Sequence, residues 1–200
     1  MRRLLALLLL LLVILSLLLG CGGAAPTDEE IKGAARELIG ASVLPNAVFL
    51  GDGIPAEEWA FDGYRYADED WMRETGIYTV EGLIAAAEAV YTAEVVAMLT
   101  RYASFDEPEE MPHYRNRTVE EGLLVLDARQ PMLRGLSFEY GTDGMTVEEK
   151  SADRAVVSLS VRVWREGGEA QEKTLRLPLI RTDDGWRLDK LTCVAYEDVD

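Results

Sequence analysis

Apolar residues recur at helical spacing from Ile31 to Ile39, directly after a polar Thr27–Glu30 segment. That segment has the capping-box pattern, in which a threonine and a glutamate three residues later cover free backbone amides at a helix start. We therefore predict a first helix that runs to about Ala41. The next stretch, Ser42 to Pro55, is also apolar, but prolines and glycines interrupt its spacing. We predict an irregular connection there.

The centre of the chain combines an aromatic segment with a second helical pattern. Six aromatic residues lie between positions 59 and 78, among acidic residues. We interpret this segment as a strand or hairpin that packs its rings onto the core; the alternative is a ligand-binding aromatic surface. Thr79 and Thr92 each precede a run of apolar residues at helical spacing. This predicts either two helices with a bend at Tyr91-Thr92 or one kinked helix.

Strand-like patterns dominate the chain after residue 120. Short apolar stretches predict strands at Glu121–Asp127 and Leu136–Tyr140. Beyond Gly144, apolar and polar residues alternate through segments separated by turns at 151–153, 167–168 and 183–185, which is typical of a β-meander. The order predicts an α+β fold, with two to three N-terminal and central helices packed on a curved antiparallel sheet that ends in this meander.

The first 21 residues have the features of an export signal. Arg2 and Arg3 precede a 16-residue run, Leu4–Leu19, that is apolar except for one serine. This run is shorter than the roughly 20 residues of a membrane-spanning helix and fits the apolar core of a signal peptide. The alternatives are an ordinary secretory signal with an incidental cysteine and a retained membrane anchor.

The end of this run, Leu18-Leu19-Gly20-Cys21, resembles the lipobox of bacterial lipoproteins. The resemblance implies that the signal is cut before Cys21 and that this residue carries the lipid. The domain division is then 1–20 signal peptide, 21–26 lipidated cysteine and short tether, and 27–200 single domain. The expected location is the bacterial cell envelope, on the outer face of the cytoplasmic membrane, or on the outer membrane if the source has one.

Composition and charge exclude several classes of protein. The 200 residues are 48% hydrophobic and 28% charged, which suits one packed domain. Loss of Arg2 and Arg3 with the signal leaves 18 basic against 36 acidic residues, a net charge of −18. A nucleic-acid binder needs the opposite balance. Two cysteines and one histidine are too few for a zinc or iron–sulfur site, so we expect no metal and no cofactor. Cys193 lies in an apolar run and is interpreted as a small buried residue.

The order of elements resembles the cone-shaped, cystatin-like fold of the nuclear transport factor 2-like superfamily. Four short motifs are similar to a secreted family of peptidoglycan DL-endopeptidase inhibitors and its lipoprotein relatives: Tyr64–Tyr66, Thr79–Leu83, Val90–Glu94 and Glu121–Val125. The resemblance covers roughly residues 60 to 195. This chain differs in having Leu124 where an aromatic residue is usual, an acidic loop and a lipid anchor. The resemblance assigns no inhibitory residue to this chain.

Taken together, these patterns favour a membrane-anchored extracytoplasmic binding domain with no catalytic residue. The resemblance implies that a cell-wall endopeptidase is one partner that it restrains; the sequence alone indicates an envelope protein or wall fragment. The expected docking element is the acidic loop between Tyr102 and Thr118, which contains four carboxylates. These are Asp106, Glu107, Glu109 and Glu110.

Other functions stay open at this level. One is a small-ligand binder or an enzyme that uses the interior of the cone, for which His113 is the only histidine; we interpret it as a solvated loop residue. Another is an accessory subunit of an envelope complex. The acidic runs Asp68–Asp70, Glu148-Glu149 and Asp183-Asp184 are interpreted as solvated surface, with calcium binding as the alternative.

Overall fold

The computed structural model describes residues 25–59, 64–102, 115–119, 122–126, 135–165 and 167–193. The helices within these ranges are α1 (Asp28–Leu50), α2 (Glu69–Thr75), α3 (Val80–Glu88) and α4 (Ala93–Tyr102). The strands are β1 (Ala56–Trp59), β2 (Tyr64–Ala67), β3 (Arg115–Val119), β4 (Gly122–Leu126), β5 (Leu136–Lys150), β6 (Arg154–Arg165), β7 (Gln171–Thr182) and β8 (Gly185–Leu188). None of the described helices is both long enough and apolar enough to cross a lipid bilayer.

The strands pair in two antiparallel groups of four. Their orders are β1-β2-β4-β3 and β5-β6-β7-β8. The second group is the predicted meander, and the α+β class with helices packed on an antiparallel sheet is confirmed. Helix α1 packs across the inner face of this meander, where alternate residues of β6 and β7 are buried. The hydrophobic core lies between these two layers.

Helix α1 is longer than the sequence indicated. It begins as predicted, with the reciprocal Thr27–Glu30 capping box, but it continues to Leu50 with Pro45 inside it. The predicted irregular connection is therefore wrong for residues 42–50. A proline within a helix removes one hydrogen bond and costs about 3 kcal/mol in isolation. Burial of Val48, Phe49 and Leu50 in the core offsets this cost, because it supplies packing that spacing alone does not reveal.

The aromatic segment is part hairpin and part helix. Strands β1 and β2 pair antiparallel, as predicted. Residues 69–75 form α2, so the prediction of strand is wrong there. The Asp68 carboxylate accepts the Trp71 backbone N–H at 2.7 Å, and Gly76 ends the helix in the left-handed conformation at φ +70°. Trp71 packs against the core, whereas Tyr78 is half exposed.

The joint at Tyr91-Thr92 separates two helices, which is one of the two predicted forms. Thr79 caps α3, its hydroxyl accepting the Gly82 N–H at 3.1 Å. The joint itself pairs with β8. The Thr92 N–H donates to the Leu188 carbonyl at 3.0 Å, and the Leu188 N–H donates to the Val90 carbonyl at 2.8 Å. The backbone of the joint therefore pairs with the last strand of the meander, through a bridge between Tyr91 and Leu188.

Strand β5 joins two segments that the sequence suggested were separate. Between the Gly141–Ser160 and Thr146–Ser158 pairs, β5 advances by five residues and β6 by two. Extra residues on one strand form a bulge, which bends that strand and increases its twist. Because the bulge bends β5, this long strand can follow the curvature of the sheet.

Candidate functional site: a buried polar cluster

Four polar side chains from three distant segments meet inside the core. Ser42 and Asn46 come from α1, Tyr91 from the α3–α4 joint and Thr192 from the segment after β8. Their exposed fractions are 0%, 6%, 1% and 0%, in that order. We name these residues the Thr192 cluster. Its four members are neutral and hydrogen-bonded, as burial of polar groups requires.

The hydrogen bonds of the Thr192 cluster have a single direction. The Tyr91 hydroxyl donates to Asn46 Oδ1 at 2.8 Å, and Asn46 Nδ2 donates to Thr192 Oγ1 at 2.7 Å. The Ser42 hydroxyl donates its only proton to the Ile39 carbonyl at 2.7 Å. Since Ser42 has no second proton, the 2.7 Å contact between the Ser42 and Thr192 hydroxyls is a bond donated by Thr192. A continuous chain of donors therefore runs from the joint to the backbone of α1.

Buried titratable groups in and beside the cluster retain their protons. Burial raises the pKa of Tyr91 and of Tyr140, which also contacts Thr192. Burial raises the pKa of the Cys193 thiol to about 12. The predicted burial of Cys193 is confirmed, and the thiol is free. At neutral pH these groups are uncharged, so the arrangement joins segments by neutral hydrogen bonds.

Hydrogen bonds at the edge of the cluster attach the joint to the segment after β8. Thr92 Oγ1 donates to Asp189 Oδ1 at 2.8 Å, and Arg187 Nε donates to the Glu88 carbonyl at 2.8 Å. The Arg187 bond places a positive charge at the carbonyl end of α3, where a helix dipole favours one. The cluster and these bonds together hold the last described residues against both helices.

Charged side chains occupy the exposed surface and pair across elements. Lys150 Nζ lies 2.6 Å from Asp28 Oδ1, Arg162 Nη1 lies 2.7 Å from Glu139 Oε2 and Arg176 Nη2 lies 2.7 Å from Glu148 Oε2. The hydrogen bond from Lys150 lowers the pKa of Asp28, and the hydrogen bond from Arg176 lowers the pKa of Glu148. These carboxylates are ionised and solvated, which suits a binding surface better than acid–base chemistry.

The acidic runs have local roles in the structure. Asp68 caps α2, and Glu148 and Glu149 both lie beside Arg176. Asp183-Asp184 forms the turn between β7 and β8. Across the described ranges, no group of three or more His, Cys, Asp or Glu side chains could hold a metal ion.

The predicted site residues lie outside the described residues. This applies to the lipidation residue Cys21, to the candidate docking carboxylates Asp106, Glu107, Glu109 and Glu110, and to His113. Sequence reasoning missed the Thr192 cluster. Its one signal was that Ser42 and Asn46 lie four residues apart on the same stripe of α1 as Ala35 and Leu38.

Comparison with known proteins does not place the chain in a family. No family model matches the sequence, and no curated protein matches it.

Proposed function

We propose that this chain is a lipid-anchored, extracytoplasmic, non-catalytic binding domain. The observation that carries the proposal is the Leu18–Cys21 lipobox pattern, followed after a five-residue tether by the capped start of α1. A lipid anchor requires that the modified cysteine stay outside the folded core, so that its acyl chains can enter the bilayer. Here the N-cap Thr27 is exposed and the helix begins at Asp28.

The start of the domain is fixed firmly enough to carry such a tether. The Glu30 carboxylate accepts the Thr27 N–H at 2.7 Å, and this bond lowers the pKa of Glu30. The Lys150–Asp28 pair joins the first turn of α1 to the end of β5. The tether Gly22–Pro26 reaches about 17 Å when extended. The domain therefore stays close to the membrane, and a partner meets it there.

Binding rather than catalysis suits the way polar groups are distributed. The Thr192 cluster uses its hydroxyl and amide groups on one another, while ionised carboxylates lie on the surface. A net charge of −18 on the mature chain favours a basic partner through long-range attraction. The resemblance of the central motifs to endopeptidase inhibitors makes a cell-wall endopeptidase the first partner to test.

The anchor is tested by expressing the full chain in a bacterium supplied with radiolabelled palmitate. We expect label in the wild-type protein, loss of the label in Cys21→Ala, and a mass that shows a diacylglycerol and cleavage before Cys21. The Cys193→Ala chain is the matched control and keeps its label. An unlabelled, uncleaved wild-type chain in the membrane would overturn the proposed anchor.

The binding role is tested with the detergent-solubilised full chain and a cysteine-type cell-wall endopeptidase that digests purified peptidoglycan. We expect dose-dependent inhibition beyond that of an equally acidic unrelated protein. Neutralising Asp106, Glu107, Glu109 and Glu110 to Asn or Gln should then slow association and flatten its salt dependence. Equal rates for both proteins at every dose would overturn this partner, and unchanged association kinetics would overturn the docking role of the acidic loop.

A further inference from the structure

Three segments that are distant in the sequence form one end of the domain, which we name the tethered end: Thr27–Glu30, Lys150–Arg154 and Arg181–Gly185. The Lys150–Asp28 pair joins the first two segments at 2.6 Å. The Arg181 N–H donates to the Asp153 carbonyl at 2.7 Å, which joins the second and third. The charge of Arg181 also contributes to lowering the pKa of Glu30, so the third segment lies near the first.

The long elements of the domain run away from the tethered end. Helix α1 starts there and contains 23 residues, a length of about 34 Å at 1.5 Å per residue. Strand β6 also starts there, at Arg154, and contains 12 residues, a length of roughly 40 Å. The exposed turn Gly167–Ala170, which follows β6, is consequently at the opposite end of the meander. We name it the remote turn.

We propose that the tethered end faces the lipid bilayer and that the remote turn points away from it. Strands β6 and β7 then extend from the membrane side of the domain to the side that meets a partner. The proposal rests on the lipid anchor at Cys21. The tether, at about 17 Å, is only half as long as α1, so it confines the start of α1 to the headgroup region while leaving the other end free to extend outward.

Charge favours this upright posture over one in which the domain lies on its side. The tethered end contains six acidic and three basic residues, a net charge of −3, and the lipid anchor holds this end near the membrane in either posture. The whole mature chain has twice as many acidic as basic residues. Outside the tethered end the mature chain has a net charge of −15. Laying the sides of the domain on an anionic leaflet would bring much of this charge within the Debye length of about 8 Å, whereas standing upright keeps most of it beyond that distance.

The test measures the distance of two matched positions from the lipid. Ala152, at the tethered end, and Ala170, in the remote turn, are both exposed alanines. Each is changed to cysteine in the lipidated full chain and labelled with a donor fluorophore. Cys193 is buried and stays unlabelled. The chains are reconstituted on preformed phosphatidylglycerol vesicles that carry an acceptor-labelled lipid.

We expect energy transfer to the lipid to be several-fold more efficient from Ala152→Cys than from Ala170→Cys, and the contrast to shrink at high salt. Equal transfer from both positions, in chains that co-float with the vesicles, would overturn the posture and leave the anchor standing. A wild-type chain that floats no better than Cys21→Ala would instead overturn the anchor, and the posture with it.

Discussion

Thr192→Val tests whether the directed hydrogen-bond chain stabilises the fold. The substitution nearly keeps the shape of the side chain and replaces the hydroxyl of this fully buried residue with a methyl group. Asn46 Nδ2 then loses an acceptor at 2.7 Å, and Ser42 Oγ loses a donor at 2.7 Å. A buried donor left unpaired costs about 1–3 kcal/mol. We expect the free energy of unfolding to fall by about 2 kcal/mol, which corresponds to a fall in Tm of about 4–8 °C for a domain of this size.

The assay is urea unfolding followed by tryptophan fluorescence, with Thr174→Val as the matched control. Thr174 lies on β7 with its side chain exposed, so loss of its hydroxyl should change stability by less than about 0.5 kcal/mol. Equal unfolding midpoints for Thr192→Val and Thr174→Val would refute the reasoning.

A double-mutant cycle with Ser42→Ala separates the directed chain from general burial. Each single substitution leaves a polar partner unpaired, whereas the double substitution removes both ends of the 2.7 Å contact. We expect the double variant to be less destabilised than the sum of the singles, by at least about 0.5 kcal/mol. Additive effects would show that the two hydroxyls do not depend on each other.

Three further predictions concern backbone space, alkaline pH and thiol reactivity. Gly40→Ala should stabilise the chain by about 0.5–1 kcal/mol, because its added methyl group meets open space within α1. Gly51→Ala should destabilise the chain, because its methyl group would lie 3.0 Å from backbone atoms. Urea unfolding measures both variants, and a change of the same sign in the free energy of unfolding would contradict the prediction. Folding raises the pKa of Tyr91 and of Tyr140, so their contribution to stability is complete below pH about 10 and is lost as the pH rises further. The urea midpoint of unfolding should therefore decrease as the pH is raised above about 10, and it should decrease less in Tyr140→Phe. A midpoint that does not change with pH would be inconsistent with buried phenols. Cys193 should react with a thiol reagent far more slowly in the native chain than in denaturant, and rapid native labelling would show that the thiol is accessible.

Regular spacing was enough to predict much of the fold. The capping box at Thr27, the cap at Thr79 and the alternation along β6 each depend on local pattern, and all three are confirmed. The extension of α1 beyond Ala41 was not predicted, because its buried stripe continues through Ser42, Pro45 and Asn46, whose types indicate turns rather than a core helix. Tertiary contacts supply the helix stabilisation that those residue types do not provide.

The Thr192 cluster could not be predicted from spacing along the chain. Ser42 and Thr192 are 150 positions apart, and neither residue type indicates burial. Only the docking of the segment after β8 against α1 brings them together. The bulge in β5 was missed for a related reason. Gly144 was interpreted as the start of a strand, whereas the strand passes through it with a change of register.

The bonds between the α3–α4 joint and β8 have a consequence for the order in which the chain folds. The Val90 carbonyl and the Thr92 N–H are both bonded to Leu188, and Asn46 on α1 is bonded to Thr192. Contacts between residues so distant in sequence close large loops and form late. A chain that crosses a membrane unfolded, as the proposed anchor requires, emerges with its N-terminus first. Its helices cannot complete their packing until the last strand has also crossed, so the native structure forms only after translocation is almost finished.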